Sequence, residues 1–325
     1  MTKSSQINRF RADKESLFAN VALLYYGQGL TQSEIAKRMQ VSRATIVNIL
    51  RESRDRGIVE IRVDGKYLSS SNLARDVRNK FGLQDVYIAT PDTRNGMQNR
   101  SELLSQVGRV GATALLDIIE PGYRVGVAWG ETIMSVADMM RRTVSEEVEI
   151  CQLIGAMNSS RVPASENCAI QIASKLEAQV YTLHAPGIVA TSEMATVFRN
   201  EPTIKRQLLR LKKLDMTVAS IGNVFEDTHF HAAGMASIDE LTAARAQGAV
   251  GIICCRFIDK KGKAITSSPD SRLIAASLEN LRSSAKKLLV VCGPDRAAAT
   301  VAAIRGQLVT HLCVDNWLAQ ELLEN

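Results

Sequence analysis

The chain has 325 residues, more than one ordinary hydrophobic core accommodates, which predicts two domains. Its 46% hydrophobic and 23% charged residues are typical of a globular protein and exclude a disordered one. No stretch approaches 18 consecutive apolar residues and the N-terminus has no apolar signal core, so we expect a cytoplasmic protein without membrane contact.

The positive charge of the chain is concentrated near its N-terminus. The net charge is +6, and residues 1–62 contain 11 Lys and Arg against 6 Asp and Glu, whereas the remaining residues contain 29 against 28. This excess predicts a polyanionic partner for the N-terminal segment. From charge alone, a basic tail that serves only solubility is the alternative.

The same segment contains three predicted helices. The first runs from about Lys14 to Tyr26, and Gly27 and Gly29 end it. Its predicted inward positions are Leu17, Val21, Leu24 and Tyr25. The sequence "TQSE" at residues 31–34 is a capping box that begins a short second helix, with Ile35, Ala36 and Met39 facing inward. Ser42 caps a third helix that Gly57 ends, with Ile46, Ile49, Leu50 and Ser53 facing inward.

Two short helices joined at a tight corner are typical of a helix-turn-helix, whose second helix enters the major groove of DNA. At 100° per residue, the outward side of the third helix presents residues suited to base edges and phosphates. The predicted DNA-binding residues are Ser42, Arg43, Ala44, Thr45, Val47, Asn48, Arg51 and Arg54. A helical hairpin that only packs or dimerises is the alternative, but it would more often carry Lys and Glu on that side.

The predicted domain boundaries follow from the segments after the third helix. The alternating sequence "IVEIRV" at residues 58–63 predicts a strand, which would form a small wing. The polar, serine-rich residues 64–72 form the predicted linker. We therefore expect a winged helix-turn-helix domain with a basic arm at residues 1–63 and an effector-binding and oligomerisation domain at residues 73–325.

The larger domain alternates short apolar runs with amphipathic segments of helix length. The runs are "DVYIA", "RVGVAW", "VEICQLIG", "QVYTLH", "MTVASIG", "AVGIICC", "KLLVVCG" and "HLCV". Predicted helices include residues 100–119, 132–142 and 237–247. This alternation predicts a doubly wound, mostly parallel α/β sheet covered on both faces.

A glycine turn marks the candidate ligand site of this sheet. The sequence "RVGVAWGET" runs from a strand through Gly130 into a helix, where exposed amides and the helix dipole favour an anion. Ligands of parallel sheets collect at the carboxyl ends of the strands, where such turns lie. Many such turns need glycine only for their geometry, so this signal alone is weak.

Several segments together carry a family resemblance. They are "GYRVGVAWGETI", "CQLIGAMN", "LHAPGIV", "GAVGIICCRFIDKKGKAI" and "VCGPDRAAATVAAIRGQLVTHLCVDNWLAQELL", in this order behind the helix-turn-helix. Over residues 15–325 the chain resembles the SorC/DeoR-type sugar-binding transcriptional regulators. The resemblance implies an effector domain related to sugar-phosphate isomerases and glucosamine-phosphate deaminases.

The resemblance also implies effector-binding residues. They are Gly130, Glu131, Thr132, Gly155, Asn158, Arg256, Asp259, Arg296 and Asp315. The turn at residues 130–132 corresponds to one that often holds a phosphate in the family. The chain departs from the family at Ile252, where Asp is usual, and at Arg296, where Lys is usual, so a free sugar, a sugar phosphate and a sugar alcohol all stay open.

Other residues have competing interpretations. Asp315 could be a general base, or it could cap the final helix, which we prefer. His229 and His231 could chelate a metal, but no third ligand is evident, so we expect neither a metal site nor a cofactor. The six cysteines lie mostly in apolar runs without C-x-x-C spacing and are expected to be buried thiols.

The expected function is a ligand-responsive bacterial regulator. It would bind double-stranded operator DNA and a small carbohydrate, and control a carbohydrate-catabolism operon. It would form a dimer or a tetramer, because paired half-sites mirror protein symmetry. The alternative is an isomerase- or deaminase-like enzyme with an appended DNA-binding domain, but the sequence offers no local acid–base cluster or lysine for that chemistry, so we expect no catalytic residue.

Overall fold

The computed structural model describes residues 14–59, 69, 71–90, 99–145, 147–157, 164–225, 228–266 and 268–324. The chain divides into two compact units, Met1–Val63 and Asp64–Asn325. The predicted N-terminal arm, the wing beyond residue 59 and most of the predicted linker lie outside the described residues. The last residue assigned to that linker, Asn72, is the first residue of a helix capped by Ser71.

The first unit contains three helices. They are α1 (residues 14–22, continued by a π-helical turn at Leu23–Gly27), α2 (Gln32–Met39) and α3 (Arg43–Asp55). Their shared core contains Val21, Ala22, Ile35, Ala36, Ile46 and Leu50.

One predicted core position of α1 is wrong. Leu17 is 38% exposed, whereas Phe18, which the prediction omitted, is 2% exposed. Phe18 continues the i, i+3, i+4 spacing of Val21 and Ala22, so its large ring occupies the buried stripe.

The second unit is built on a seven-stranded parallel sheet in the order β1-β10-β9-β5-β2-β3-β4. Its strands are β1 (Asp85–Ala89), β2 (Arg124–Val127), β3 (Glu149–Gln152), β4 (Gln179–Tyr181), β5 (Met216–Ala219), β9 (Lys286–Val291) and β10 (His311–Asp315). The predicted mostly parallel α/β fold is confirmed.

Twelve described helices accompany the strands of this unit. They are α4 (Asn72–Phe81), α5 (Arg100–Ile118), α6 (Glu131–Met139), α7 (Ser165–Leu176), α8 (Ser192–Asn200), α9 (Pro202–Arg210), α10 (His229–Ala232), α11 (Ile238–Ala246), α12 (Ser268–Arg272), α13 (Leu278–Ser283), α14 (Ala297–Arg305) and α15 (Asn316–Glu324). A 3₁₀ turn at Pro294–Arg296 precedes α14.

The sheet is buried on both faces, as the apolar runs predict. Along β10, Leu312 and Val314 pack into one apolar cluster, whereas Cys313 packs into the other. Because side chains of a strand alternate between faces, such a strand carries apolar residues on both of its faces.

A second, antiparallel sheet differs from the prediction. It contains β6 (Ile221–Gly222), β7 (Ala249–Ile253) and β8 (Arg256–Asp259) in that order. The run "AVGIICC" therefore does not join the parallel sheet. A fully buried strand has the same apolar pattern in either kind of sheet, and only its pairing partners decide.

The turn between β7 and β8 consists of Cys254 and Cys255, with φ angles of 45° and 64°. Two residues with positive φ let a hairpin close in two residues without distorting the strand twist. Among the described residues, no helix is both long and apolar enough to cross a membrane.

Candidate functional site

Side-chain caps define the corner between α2 and α3. The Thr31 hydroxyl accepts the Glu34 N–H at 3.2 Å, and the Glu34 carboxylate accepts the Thr31 N–H at 2.7 Å. Gln40 ends α2 with φ +55°, and the Ser42 hydroxyl accepts the Thr45 N–H at 3.0 Å to begin α3. The left-handed residue stops one helix and the cap starts the next, so the corner needs only three residues.

The predicted DNA-binding residues all lie on the exposed surface of α3 and its cap. Arg43, Ala44, Val47, Asn48 and Arg51 are exposed. So are Ser42, Thr45 and Arg54. A half-exposed valine beside an exposed alanine and asparagine leaves room for base edges, which the long side chains of a merely solvated helix would cover.

Several of these side chains contact one another. The Arg51 guanidinium donates to Asn48 Oδ1 at 3.3 Å, and Arg43 Nε donates to Gln32 Oε1 at 3.4 Å. Exposed bonds of this length are weak and exchange readily with other acceptors. Gln32 was missing from the predicted residues, because it lies on α2 and only the tertiary packing places it beside α3.

The strand order of the parallel sheet locates the candidate effector cleft. From β2 the chain first adds β3 and β4 on one side and then returns to β5 on the other, so the order reverses between β2 and β5. In sheets of this type, ligands bind outside the carboxyl ends of the strands at such a reversal. The Gly130 turn follows β2 and therefore lies at this point.

Three charged or polar side chains from distant segments meet at the Gly130 turn. Gly130 caps α6 with φ +114°, and Glu131 is the first residue of that helix. The Glu131 carboxylate lies 3.5 Å from Arg100 Nη2 and 3.5 Å from His229 Nε2. All three side chains are partly exposed, so carboxylate, guanidinium and imidazole groups remain available to a ligand. Thr132 is half-buried in the same turn.

The loop after β9 carries a second arginine–carboxylate pair. Gly293 has φ +102°, and Arg296 Nη1 donates to the Cys292 carbonyl at 2.9 Å and to Asp295 Oδ1 at 3.0 Å. Asn223, in the segment after β6, donates to Asp295 Oδ2 at 3.2 Å. This loop follows the carboxyl end of β9, the strand next to β5.

Asp315 holds the Gly293 loop in place through buried hydrogen bonds. It is completely buried, its Oδ2 accepts the Gly293 N–H at 2.6 Å, and its Oδ1 accepts the Leu318 N–H at 2.9 Å. Both oxygens are therefore engaged by backbone, as expected for the cap of α15. Its carboxylate holds the Gly293 loop in place and does not face the cleft surface.

Gly155 lies where two loops touch. A Cβ at this position would lie 2.7 Å from the Pro186 carbonyl carbon, so only glycine allows the loops after β3 and β4 to pack together. Gln152 and Ser165 bond beneath the same loop at 2.7 Å and are both buried. The predicted ligand residue Asn158 lies outside the described residues.

The two predicted effector-binding residues of β8, Arg256 and Asp259, lie in different parts of the second unit. Arg256 donates to the Ala276 carbonyl at 3.0 Å and to Asp270 at 3.1 Å. The Ala276 N–H in turn donates to the carbonyl of Leu153, the residue after β3, which places Arg256 near the carboxyl end of that strand. Asp259 is different: its Oδ1 accepts the N–H groups of Lys261 and Lys263, both at 2.9 Å. That turn packs against the C-terminal end of α14, roughly 13 Å along the helix from the Gly293 loop. Asp259 therefore does not join the other cleft residues.

The histidines and cysteines have other partners. His231 Nδ1 lies 2.9 Å from the Ala236 carbonyl, while His229 turns to Glu131, so the two imidazoles do not converge. All six cysteines are buried and free, as expected. Burial raises the pKa of Cys254 to about 12, which keeps this thiol protonated near neutral pH.

Sequence reasoning did not assign four residues to the candidate cleft: Arg100, Asn223, Asp295 and His229, the last of which it considered only as a metal ligand. None lies in a segment that the resemblance singles out except Asp295, which stands between two matched positions. A usable signal was available for Arg100, because it begins a long helix that follows β1 and so must start at the carboxyl edge of the sheet.

Comparisons with known proteins recognise both parts of the chain. The family described as "Putative sugar-binding domain" matches residues 66–324, and "Sigma-70, region 4" matches residues 19–56. The uncharacterized transcriptional regulator YjhU of Escherichia coli (strain K12) is 33% identical over 301 residues, which are 92% of each chain. The deoxyribonucleoside regulator of Bacillus subtilis (strain 168) is 26% identical over 96% of this chain and 99% of its own.

A solved structure has the same fold. The full-length sorbitol operon regulator SorC from Klebsiella pneumoniae superimposes with a TM-score of 0.71 at 24% identity, over 96% of this chain and 99% of that chain.

A helix-turn-helix followed by a doubly wound effector unit defines a ligand-responsive transcriptional regulator. The chain belongs to the SorC/DeoR-type family of sugar-binding transcriptional regulators, because the sugar-binding family matches well over half of its length. The named relatives are regulators, which supports this function over the enzyme alternative.

Proposed function

We propose that the protein controls a carbohydrate-catabolism operon by binding operator DNA through α3 and a small carbohydrate through the cleft around Gly130 and Gly293. A regulator of this kind acts in the cytoplasm, where the operator is. Two-fold operator symmetry requires at least a dimer, and a tetramer fits paired operators. An effector that binds two quaternary arrangements unequally would change the fraction that spans both half-sites.

The charge of the cleft favours an uncharged effector. Arg100 lies 3.5 Å from Glu131, Arg296 lies 3.0 Å from Asp295, and Arg256 lies 3.1 Å from Asp270. Each of these three arginines therefore has a carboxylate beside it. A phosphate would compete with these carboxylates, whereas sugar hydroxyls can donate to the carboxylates and accept from the guanidinium groups. We therefore propose a free sugar or a sugar alcohol in preference to a sugar phosphate.

One observation carries this proposal: the Glu131 carboxylate lies at the N-terminus of α6, between Arg100 and His229. A carboxylate at this place both uses the favourable helix dipole and repels a phosphate. It also offers two acceptor oxygens to adjacent hydroxyls of a sugar.

A thermal-shift screen of the full chain against free sugars, sugar alcohols and their phosphates tests the proposal. We expect an uncharged compound to raise the melting temperature by mass action. Glu131→Gln should raise the dissociation constant of that compound about 10- to 100-fold, since a hydrogen bond to a charged group contributes about 1.5–3 kcal/mol.

Glu324→Gln is the matched control, because it removes one exposed carboxylate at the far end of α15. It should leave the affinity unchanged. Equal affinities of the Glu131→Gln and Glu324→Gln variants would contradict the site. A response to phosphorylated compounds alone would contradict the uncharged effector.

A further inference from the structure

A basic pocket lies at the other end of α14 from the cleft. It is a surface pocket of about 290 Å³ between the turn after β8 and the C-terminal end of α14. Its lining consists of Lys261, Lys263, Ala264, Arg282, Arg305, Gly306 and Gln307. The volume is near the lower limit of small-ligand sites, about 300 Å³. Because its residues lead into β9 and β10, the pocket lies at the sheet edge opposite the cleft.

Close backbone packing fixes the shape of this pocket. A Cβ on Gly306 would lie 2.7 Å from the Gly262 carbonyl oxygen, so only glycine allows the two turns to touch. Arg282 joins the same turns: its Nε donates to the Gly306 carbonyl at 2.9 Å and its Nη2 to the Gly262 carbonyl at 2.8 Å. The two turns that carry the cations are therefore fixed relative to each other.

Three of the four cations of the basic pocket lack the carboxylate partners that the arginines of the cleft have. Lys261, Lys263 and Arg305 are exposed, and within the described residues none has a carboxylate at ion-pair distance. Asp259 lies closest in the chain, but its Oδ1 is engaged by two backbone N–H groups of the turn. Glu279, 3.8 Å from Arg282, is 79% exposed.

The helix dipole explains only part of this arrangement. Arg282 and Arg305 lie at the C-terminal end of α14, where a cation is favourable. Lys261 and Lys263 come from a different turn and have no such reason to point into the same pocket. Like charges that share a pocket repel one another, and a bound anion removes this repulsion.

We propose that the basic pocket binds a small, multiply charged anion, a phosphorylated metabolite with at least two negative charges, as a second ligand distinct from the carbohydrate effector. Its phosphate oxygens would accept from the two lysines and Arg305, which come from both sides of the pocket. A ligand bound here contacts the last turn of α14, whose first turn follows Arg296 of the cleft.

Pyrophosphate is the probe, titrated into the full chain by calorimetry at constant ionic strength. We expect saturable binding to the wild type, and a dissociation constant at least tenfold weaker for the Lys263→Ala/Arg305→Ala double variant. Lys260→Ala is the matched control, because it removes one exposed cation of the same turn that does not line the pocket. It should change the dissociation constant less than twofold.

Three outcomes would overturn the proposal. They are absence of saturable binding to the wild type, equal affinity of the double variant and Lys260→Ala, and weaker operator binding by the double variant with unchanged pyrophosphate affinity. The last result would assign the pocket to DNA phosphates. The carbohydrate response of the double variant should match that of the wild type, so failure of this proposal is distinguishable from failure of the proposed effector site.

Discussion

Replacing Asp315 tests whether this residue supports the Gly293 loop or contacts the ligand. Asp315→Ala removes two buried acceptors, one for the Gly293 N–H at 2.6 Å and one for the Leu318 N–H at 2.9 Å. Each hydrogen bond to a charged group contributes about 1.5–3 kcal/mol, so we expect the free energy of unfolding to fall by about 3–6 kcal/mol. Asp315→Asn keeps one acceptor and should lose about half of that amount.

The assay is urea unfolding of the full chain, in which circular dichroism monitors the unfolding of the second unit. Asp76→Asn is the control, because this carboxylate on α4 is exposed. If Asp315→Asn unfolds at the wild-type midpoint and instead loses effector affinity, Asp315 is a ligand contact and the capping argument is wrong. If Asp315→Ala does not fold, Asp315→Asn still separates the two roles.

Two further predictions concern the DNA-binding helix and the pH dependence of stability. Asn48→Ala should weaken operator binding about fivefold or more in a gel-shift titration, since a good side-chain contact to a base contributes about 1–3 kcal/mol. Effector binding should stay unchanged. Asn20 is an exposed asparagine of α1, and an equal loss of operator affinity in Asn20→Ala would contradict the assigned DNA-binding face. Burial lowers the pKa of His311 from 6.5 to about 4, so the unfolded chain binds the proton more readily and stability is lost as the pH falls below 6.5. Between pH 7.5 and pH 5 the free energy of unfolding, measured with urea, should therefore fall by about 2 kcal/mol more in the wild type than in His311→Gln. Equal decreases in the two proteins would show that His311 is not the cause.

Local signals predicted the helix-turn-helix well. Capping residues such as Thr31 and Ser42 act within four residues of themselves, so they can be recognised without knowledge of the fold. Local signals also predicted α5 well: it was predicted at residues 100–119 and is observed at Arg100–Ile118. The choice of Leu17 over Phe18 failed because two neighbouring apolar residues offer two possible stripes, and the packing partners decide between them.

Non-local pairings were predicted less well. The run at residues 249–253 is apolar throughout, and this pattern does not distinguish a parallel strand from an antiparallel one. The meeting of Glu131 with Arg100 and His229 joins segments about 30 and 100 residues away, and no spacing in the sequence encodes it. The family resemblance placed Asp259 with Arg256 in the effector site, but a strand carries residues that are three positions apart roughly 10 Å from each other.

The sequence by itself determined the nature of the protein: a capped, basic helix-turn-helix followed by alternating buried strands and helices, with glycine turns where strands end. These properties depend on periodicity, caps and charge, which act over a few residues. Only the tertiary structure decided which polar residues form the cleft and which lie elsewhere. Asp315 is buried beneath a loop and Asp259 lies at the far end of α14, because the fold brings together the ends of strands that the chain separates.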